Sequence, residues 1–200
     1  MSVSMKVKMP SSIWLLRLRR HAAALRRNNS GLAAIEFAMI IPLMAILFVG
    51  TNEFAAGVAV DRKVTLMART LSDLTSQNTS VDDDKLTNFF NASKAIMTPY
   101  SATPVQGTIT ELFINPSTLK ARVQWSKGAE AHAVGDIIEI PEALKVGDTY
   151  LIYSEVKYKF KPSVAWFISK TDGITLTDFS YTRPRQGLCV MYKTDYCETK

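Results

Sequence analysis

Residues 32–51 read LAAIEFAMIIPLMAILFVGT, an apolar run from Leu32 to Thr51 broken by one charge, Glu36. About 20 mostly apolar residues are what a helix needs to cross a bilayer. The next stretch, Asn52 to Val60, adds only Glu53. The run has no polar face, whereas the buried helix of a soluble domain usually confines its apolar residues to one side. It also starts late and runs long for a removable secretory signal, whose apolar region spans about 7–15 residues. Phe54-Ala55-Ala56 fits the small-residue cleavage pattern poorly. The first expectation is therefore a single transmembrane helix over residues 32–60.

Charge explains how such a helix would sit. The chain of 200 residues carries a formal net charge of +6, with 24 Lys and Arg against 18 Asp and Glu. Seven of those cations (Lys6, Lys8, Arg17, Arg19, Arg20, Arg26 and Arg27) and none of the acids fall in the first 30 residues. The remainder thus holds 17 cations against 18 acids and is nearly neutral. A basic end before an apolar run predicts, by the positive-inside rule, a cytoplasmic leader over residues 1–31 and an extracytoplasmic domain over residues 61–200. No nucleic-acid partner is expected, because the basic residues form no RNA-binding motif and do not interleave with aromatics. Within the leader, Ile13, Trp14, Leu15, Leu16, Leu18 and Leu25 mix with arginines between Ser12 and Arg27. Such a segment either lies on the anionic leaflet or only sets topology.

Glu36 is the exception inside the span. A carboxylate at the bilayer centre costs about 2.5–3.5 kcal/mol and is by default a functional candidate. Near the helix start the cost is lower, since headgroups are close and the positive end of the helix dipole favours an anion. The plain alternative is an interfacial Glu with no role. Gly31 stands immediately before the run, and Glu36 is the fifth residue after it. A cut after Gly31 would create an α-amine at Leu32 able to pair with Glu36 of its own or an adjacent helix. Pro42 removes one helical hydrogen bond and tends to kink a helix, which membrane helices tolerate. Thr51, Ala55 and Ala59 form a small-residue row that permits close helix approach.

A basic leader, Gly31, four residues, Glu36-Phe37 and an apolar helix together resemble a type IV prepilin N-terminus. The longer stretch Ser30 to Gly57, SGLAAIEFAMIIPLMAILFVGTNEFAAG, is similar to the opening of the TadE-like family, pseudopilin-like proteins of tight-adherence (Flp) pilus systems. Glu36-Phe37, Pro42 and Gly50…Glu53-Phe54 carry the likeness. The resemblance implies cleavage between Gly31 and Leu32 by a prepilin peptidase. It implies further that the mature helix packs against other pilins or pseudopilins and the assembly platform, with Glu36 and Phe37 in the contact.

After the span the pattern changes. Val64, Leu66, Met67, Leu71 and Leu74 recur at helical spacing, so the helix could continue to Gln77. Ser80 with Asp82, Asp83 and Asp84 reads as a second helix start. Leu86, Phe89, Phe90, Ala95, Ile96 and Met97 supply its apolar face, and Pro99 its stop. The acids lack the spacing of a calcium loop. From Thr108 the period becomes two. Thr108–Ile114 and Leu119–Trp125 predict a hairpin turning at Asn115–Thr118. Ala129–Ile140 is ambiguous. Ile152–Lys161 predicts a strand with Val156, Tyr158 and Phe160 inward and Glu155, Lys157, Lys159 and Lys161 outward. Ile174–Thr182 predicts another, with a phase slip at Thr177-Asp178 that suggests a bulge. The expected fold class is α+β, pilin-like: a long N-terminal helix, a further helix, then about four antiparallel strands.

The only two cysteines, Cys189 and Cys197, fall in the part expected outside, where an even pair favours a disulfide over free thiols. His21 and His132 are too few to build a zinc site with them. His132 stands alone in AEAHAV and reads as a surface histidine. No nucleophile elbow, phosphate loop or zincin motif occurs, so neither cofactor nor metal is expected. Three functional classes stay open: a pilus-assembly protein, a signal-anchored scaffold or binding module, and an anchored enzyme of unrecognised type.

Overall fold

The computed structural model describes residues 30–162 and 173–194, with His21 and Cys197. The amphipathic leader segment expected between Ser12 and Arg27 lies outside the described residues, apart from His21. The chain forms two compact units, Met1–Thr51 and Asn52–Lys200.

One helix, α1 (Ser30–Ser76, 47 residues), supplies the described part of the first unit and opens the second. It is long and apolar enough to cross a membrane. It runs unbroken through Pro42, whose missing N–H leaves the Ala38 carbonyl without its intrahelical donor. In the first unit every residue from Gly31 to Thr51 is exposed, including Leu32, Phe37, Ile46 and Phe48.

In the second unit the same helix becomes one-sided. Val60, Val64, Met67, Ala68 and Leu71 are fully buried, while Leu66 on the far side is exposed. The period of three to four residues is that of a helix laid on a sheet. Next comes β1 (Ser80–Val81) and then α2 (Asp83–Lys94). Asp82, not Ser80, caps α2, accepting the Lys85 N–H at 2.8 Å. A short 3-10 turn (Ala95–Met97) buries Met97 before Pro99.

The sheet has five strands, one more than expected: β2 (Val105–Ile114), β3 (Ala121–Gly128), β4 (Ile137–Ile138), β5 (Thr149–Phe160) and β6 (Ile174–Thr182). Their order is β4-β3-β2-β5-β6, and all pairs are antiparallel. The extra strand is the two-residue β4, too short for a period-two pattern to appear in the ambiguous Ala129–Ile140 stretch. The β2–β3 turn forms as expected, with the Asn115 side chain accepting the Ser117 and Thr118 N–H groups.

The bulge is not where the sequence pattern suggested. β5 and β6 pair without slip from Phe160↔Ile174 to Ile152↔Thr182. The register shift lies instead between β2 and β3, at Glu111/Leu112. Asp178 mimicked a phase slip because it is a polar residue on the inward face. It shares that face with its cross-strand partner Val156 and accepts the Thr65 hydroxyl of α1.

Two apolar cores flank the sheet. One joins α1 and α2 to Ile109, Trp125, Ile152, Val156 and Tyr158. The other, on the opposite face, gathers Leu112, Ile114, Val123, Ile140, Leu151 and Tyr153. Small side chains let α1 approach closely: the Ser154 hydroxyl donates to the Ala68 carbonyl at 2.6 Å. Gly107 serves the same end under α2, since a Cβ there would come within 3.1 Å of the Phe90 ring.

Candidate functional site

The residues singled out by sequence fall in three places. Gly31, Leu32, Glu36, Phe37 and Pro42 lie in the first turns of α1. Cys189 and Cys197 lie in the C-terminal strap. His132 and the lysines of β5 lie on the sheet face away from α1. The first set belongs to the first unit and the other two to the second.

In the first set, α1 begins at Ser30, so Gly31 and Leu32 occupy its opening turn. A Cβ at Gly31 would meet nothing within 4 Å. Leu32 and Glu36 are one turn apart on one face, about 6 Å along the axis. Helical Cα–Cβ bonds tilt toward the N-terminus, which carries the Glu36 carboxylate toward the Leu32 nitrogen. A free amine at Leu32 would therefore stand one turn from a carboxylate on the same helix face. Glu36 and its neighbours Ile35 and Phe37 are exposed among the described residues.

The strap is held more firmly than two cysteines suggest. Cys189 and Cys197 form a disulfide with Cα atoms 5.8 Å apart, and Cys189 is buried against Phe113 and Tyr150. Strand β7 (Met191–Tyr192) pairs in parallel with β1. Between these attachments both backbone groups of Val190 are caught by buried side chains. Its N–H donates to Glu111 Oε1 at 2.6 Å, and the Trp125 indole N–H donates to its carbonyl at 2.8 Å. Burial pushes the Glu111 carboxyl up to about 8, against the opposing pull of the Val190 N–H and Trp125. Downstream, the Tyr192 hydroxyl donates to Asp83 at 2.5 Å and Lys193 pairs with Asp83 at 2.6 Å. Lys193 first, then Tyr192, holds Asp83 below the usual carboxylate range. The acidic triplet thus caps a helix and fastens the strap.

Glu111 escaped the sequence reading, although a signal existed. In Thr108-Ile-Thr-Glu-Leu-Phe-Ile114 it shares the phase of Ile109 and Phe113, an inward phase for an acid.

On the far sheet face, the expected basic stripe is compensated. Lys157 pairs with Glu130 at 2.5 Å and with Glu155 at 3.3 Å. His132 is half-buried rather than a simple surface residue: Nε2 is 3.8 Å from Glu155 and the ring lies beside Tyr153. Among the described residues no three His, Cys, Asp or Glu side chains converge as a metal site.

No family model, curated protein or solved structure matches the chain. A functional reading therefore rests on these residues themselves.

Proposed function

We propose that the chain is a minor pseudopilin or pilus-assembly protein of the TadE-like kind, acting through the N-terminal turns of α1 rather than by catalysis. The observation that carries this reading is the junction at the head of α1. Gly31 precedes an uncovered apolar helix, and Glu36 lies one turn below the amine that cleavage after Gly31 would create. A carboxylate at that depth needs a partner, and the mature amine of its own or a neighbouring helix supplies one. The pairing would set the register of helices packing side by side. The basic leader supports an inner-membrane location with residues 1–31 cytoplasmic and the folded head periplasmic. The disulfide suits an oxidising compartment. A prepilin peptidase, other pilins or pseudopilins, the assembly platform and membrane lipid are the partners this implies. The experiment is Glu36→Ala, which should leave membrane insertion and head stability intact and abolish piliation. Normal pili from that variant would refute the assembly role and leave a signal-anchored periplasmic scaffold.

A further inference from the structure

An apolar cleft of about 380 Å³ opens at the end of the folded unit where α1 enters it. Phe54, Gly57 and Val58 of α1 form one wall, and Phe160, Ile174 and Leu176 of the β5 and β6 ends form the other. Phe160 lies over Gly57, where a Cβ would be 3.6 Å from its ring. Phe54 is 73% exposed, Ile174 59% and Val58 37%. Apolar side chains gathered in the open like this mark a contact surface.

The position of this cleft along the helix identifies the contact. Leu32–Thr51 spans about 30 Å at 1.5 Å per residue, the thickness of the hydrocarbon core. The headgroup layer beyond it is about 6 Å deep on each side. Phe54 and Val58 follow Thr51 by about 5 and 10 Å of helix rise, which places them in and just above that layer. A second cleft shares Glu53 and Phe160 with the first and is lined by the half-buried Tyr100 and the exposed Lys159 and Lys161, while Tyr158 on its wall is buried. Tyr and Lys are the side chains that anchor at the membrane interface, with apolar bodies turned inward and polar tips toward headgroups. Glu53 and Asp61 also stand at the apolar rim, so the fringe carries both signs, as a headgroup layer does.

We infer that this end of the folded unit is a lipid-docking surface. Phe54 enters the headgroup layer of the leaflet from which α1 emerges, Val58 and Ile174 meet its outer edge, and the exposed Lys159 and Lys161 reach its phosphodiesters. The inference rests on the membrane-span reading of α1, not on processing or pilus assembly.

The test uses the full-length chain, disulfide intact, in nanodiscs loaded at one copy per disc. Single Ile174→Cys and Phe54→Cys variants carry a bimane label, and nitroxide lipids serve as quenchers. Phe48→Cys within the span and Val134→Cys, 74% exposed on the head, are the references. Labels at 174 and 54 should lose most of their emission to a nitroxide at headgroup depth, while the label at 134 keeps its own. If positions 174 and 54 are quenched no more than 134 while 48 is quenched by a deep nitroxide, the docking surface is refuted and the span stands. If 48 also escapes quenching, the span reading fails and takes this inference with it. Protection at 174 that appears only in discs holding two copies would give the cleft to a second copy and overturn the lipid assignment.

Discussion

The two halves of α1 belong to one unbroken helix and obey different rules. From Val60 to Leu71 the apolar residues keep to one face, and that face is fully buried against the sheet. From Leu32 to Thr51 they occupy every face, and all are exposed among the described residues. Since the backbone geometry is the same, the difference lies in what surrounds each half. The upper half is solvated by its own protein on one side and water on the other. The lower half has an apolar surface all round, which only lipid or neighbouring helices can satisfy. Mutations in the two halves should therefore report on different things.

The widest separation is expected between Leu71→Ala and Leu47→Ala, measured by denaturant unfolding of the full chain in detergent micelles. Leu71→Ala removes a fully buried side chain and should cost about 2–5 kcal/mol. Leu47→Ala should change head stability by no more than about 0.5 kcal/mol. Equal effects would mean that the lower half packs on the head.

A second contrast is one of pH, and it belongs to the head alone. The Glu111 carboxyl is held near 8, above its ordinary value of 4.5, so the folded state binds its proton more tightly than the unfolded chain does. Stability from this group is fully present below about pH 4.5 and is lost as pH rises through about 8. The steepest loss is about 1.4 kcal/mol per pH unit. Glu111→Gln keeps an acceptor for the Val190 N–H and removes the titration. It should flatten the melting temperature between pH 5 and 8 relative to the parent chain. A parallel pH profile in the two proteins would mean that Glu111 does not set the pH dependence of stability.

A smaller loss is expected from the strap. Reduction, or a paired Cys189→Ser and Cys197→Ser change, should cost about 2–3 kcal/mol by loop-closure entropy, because β7, Val190 and Lys193 still hold the segment. Calorimetry with and without reductant measures it. The smallest effect on stability is that of Gly31→Leu, which should leave unfolding unchanged and block processing, seen as an unshifted gel mobility beside a prepilin peptidase.

Most of the architecture was legible because it follows periodicity. The apolar run, the one-sided continuation through Val64 and Leu71, and the alternation of Val156, Tyr158 and Phe160 each name an element and a face. What stayed hidden required tertiary partners. Strand β4 is too short to have a period. Asp178 looked like a bulge because nothing local reveals that Thr65 of α1 would meet it. Glu111 shows an inward phase in its strand, but its partner Val190, far along the chain, does not show locally. The strap was visible as two cysteines, but not as the backbone grip around Val190. At the candidate site the residue spacing could be read from sequence, since Leu32 and Glu36 need only a helix to share a face. The cleft beside Phe54 could not, because its second wall comes from Phe160 and Ile174.

In the proposed function α1 is a processed assembly helix and not merely an anchor. The most direct measurement is N-terminal sequencing, with intact mass, of the protein extracted from membranes of cells carrying the prepilin peptidase. A mature chain beginning at Leu32 is the predicted result. An intact leader beginning at Met1, with the peptidase present and active, would contradict it.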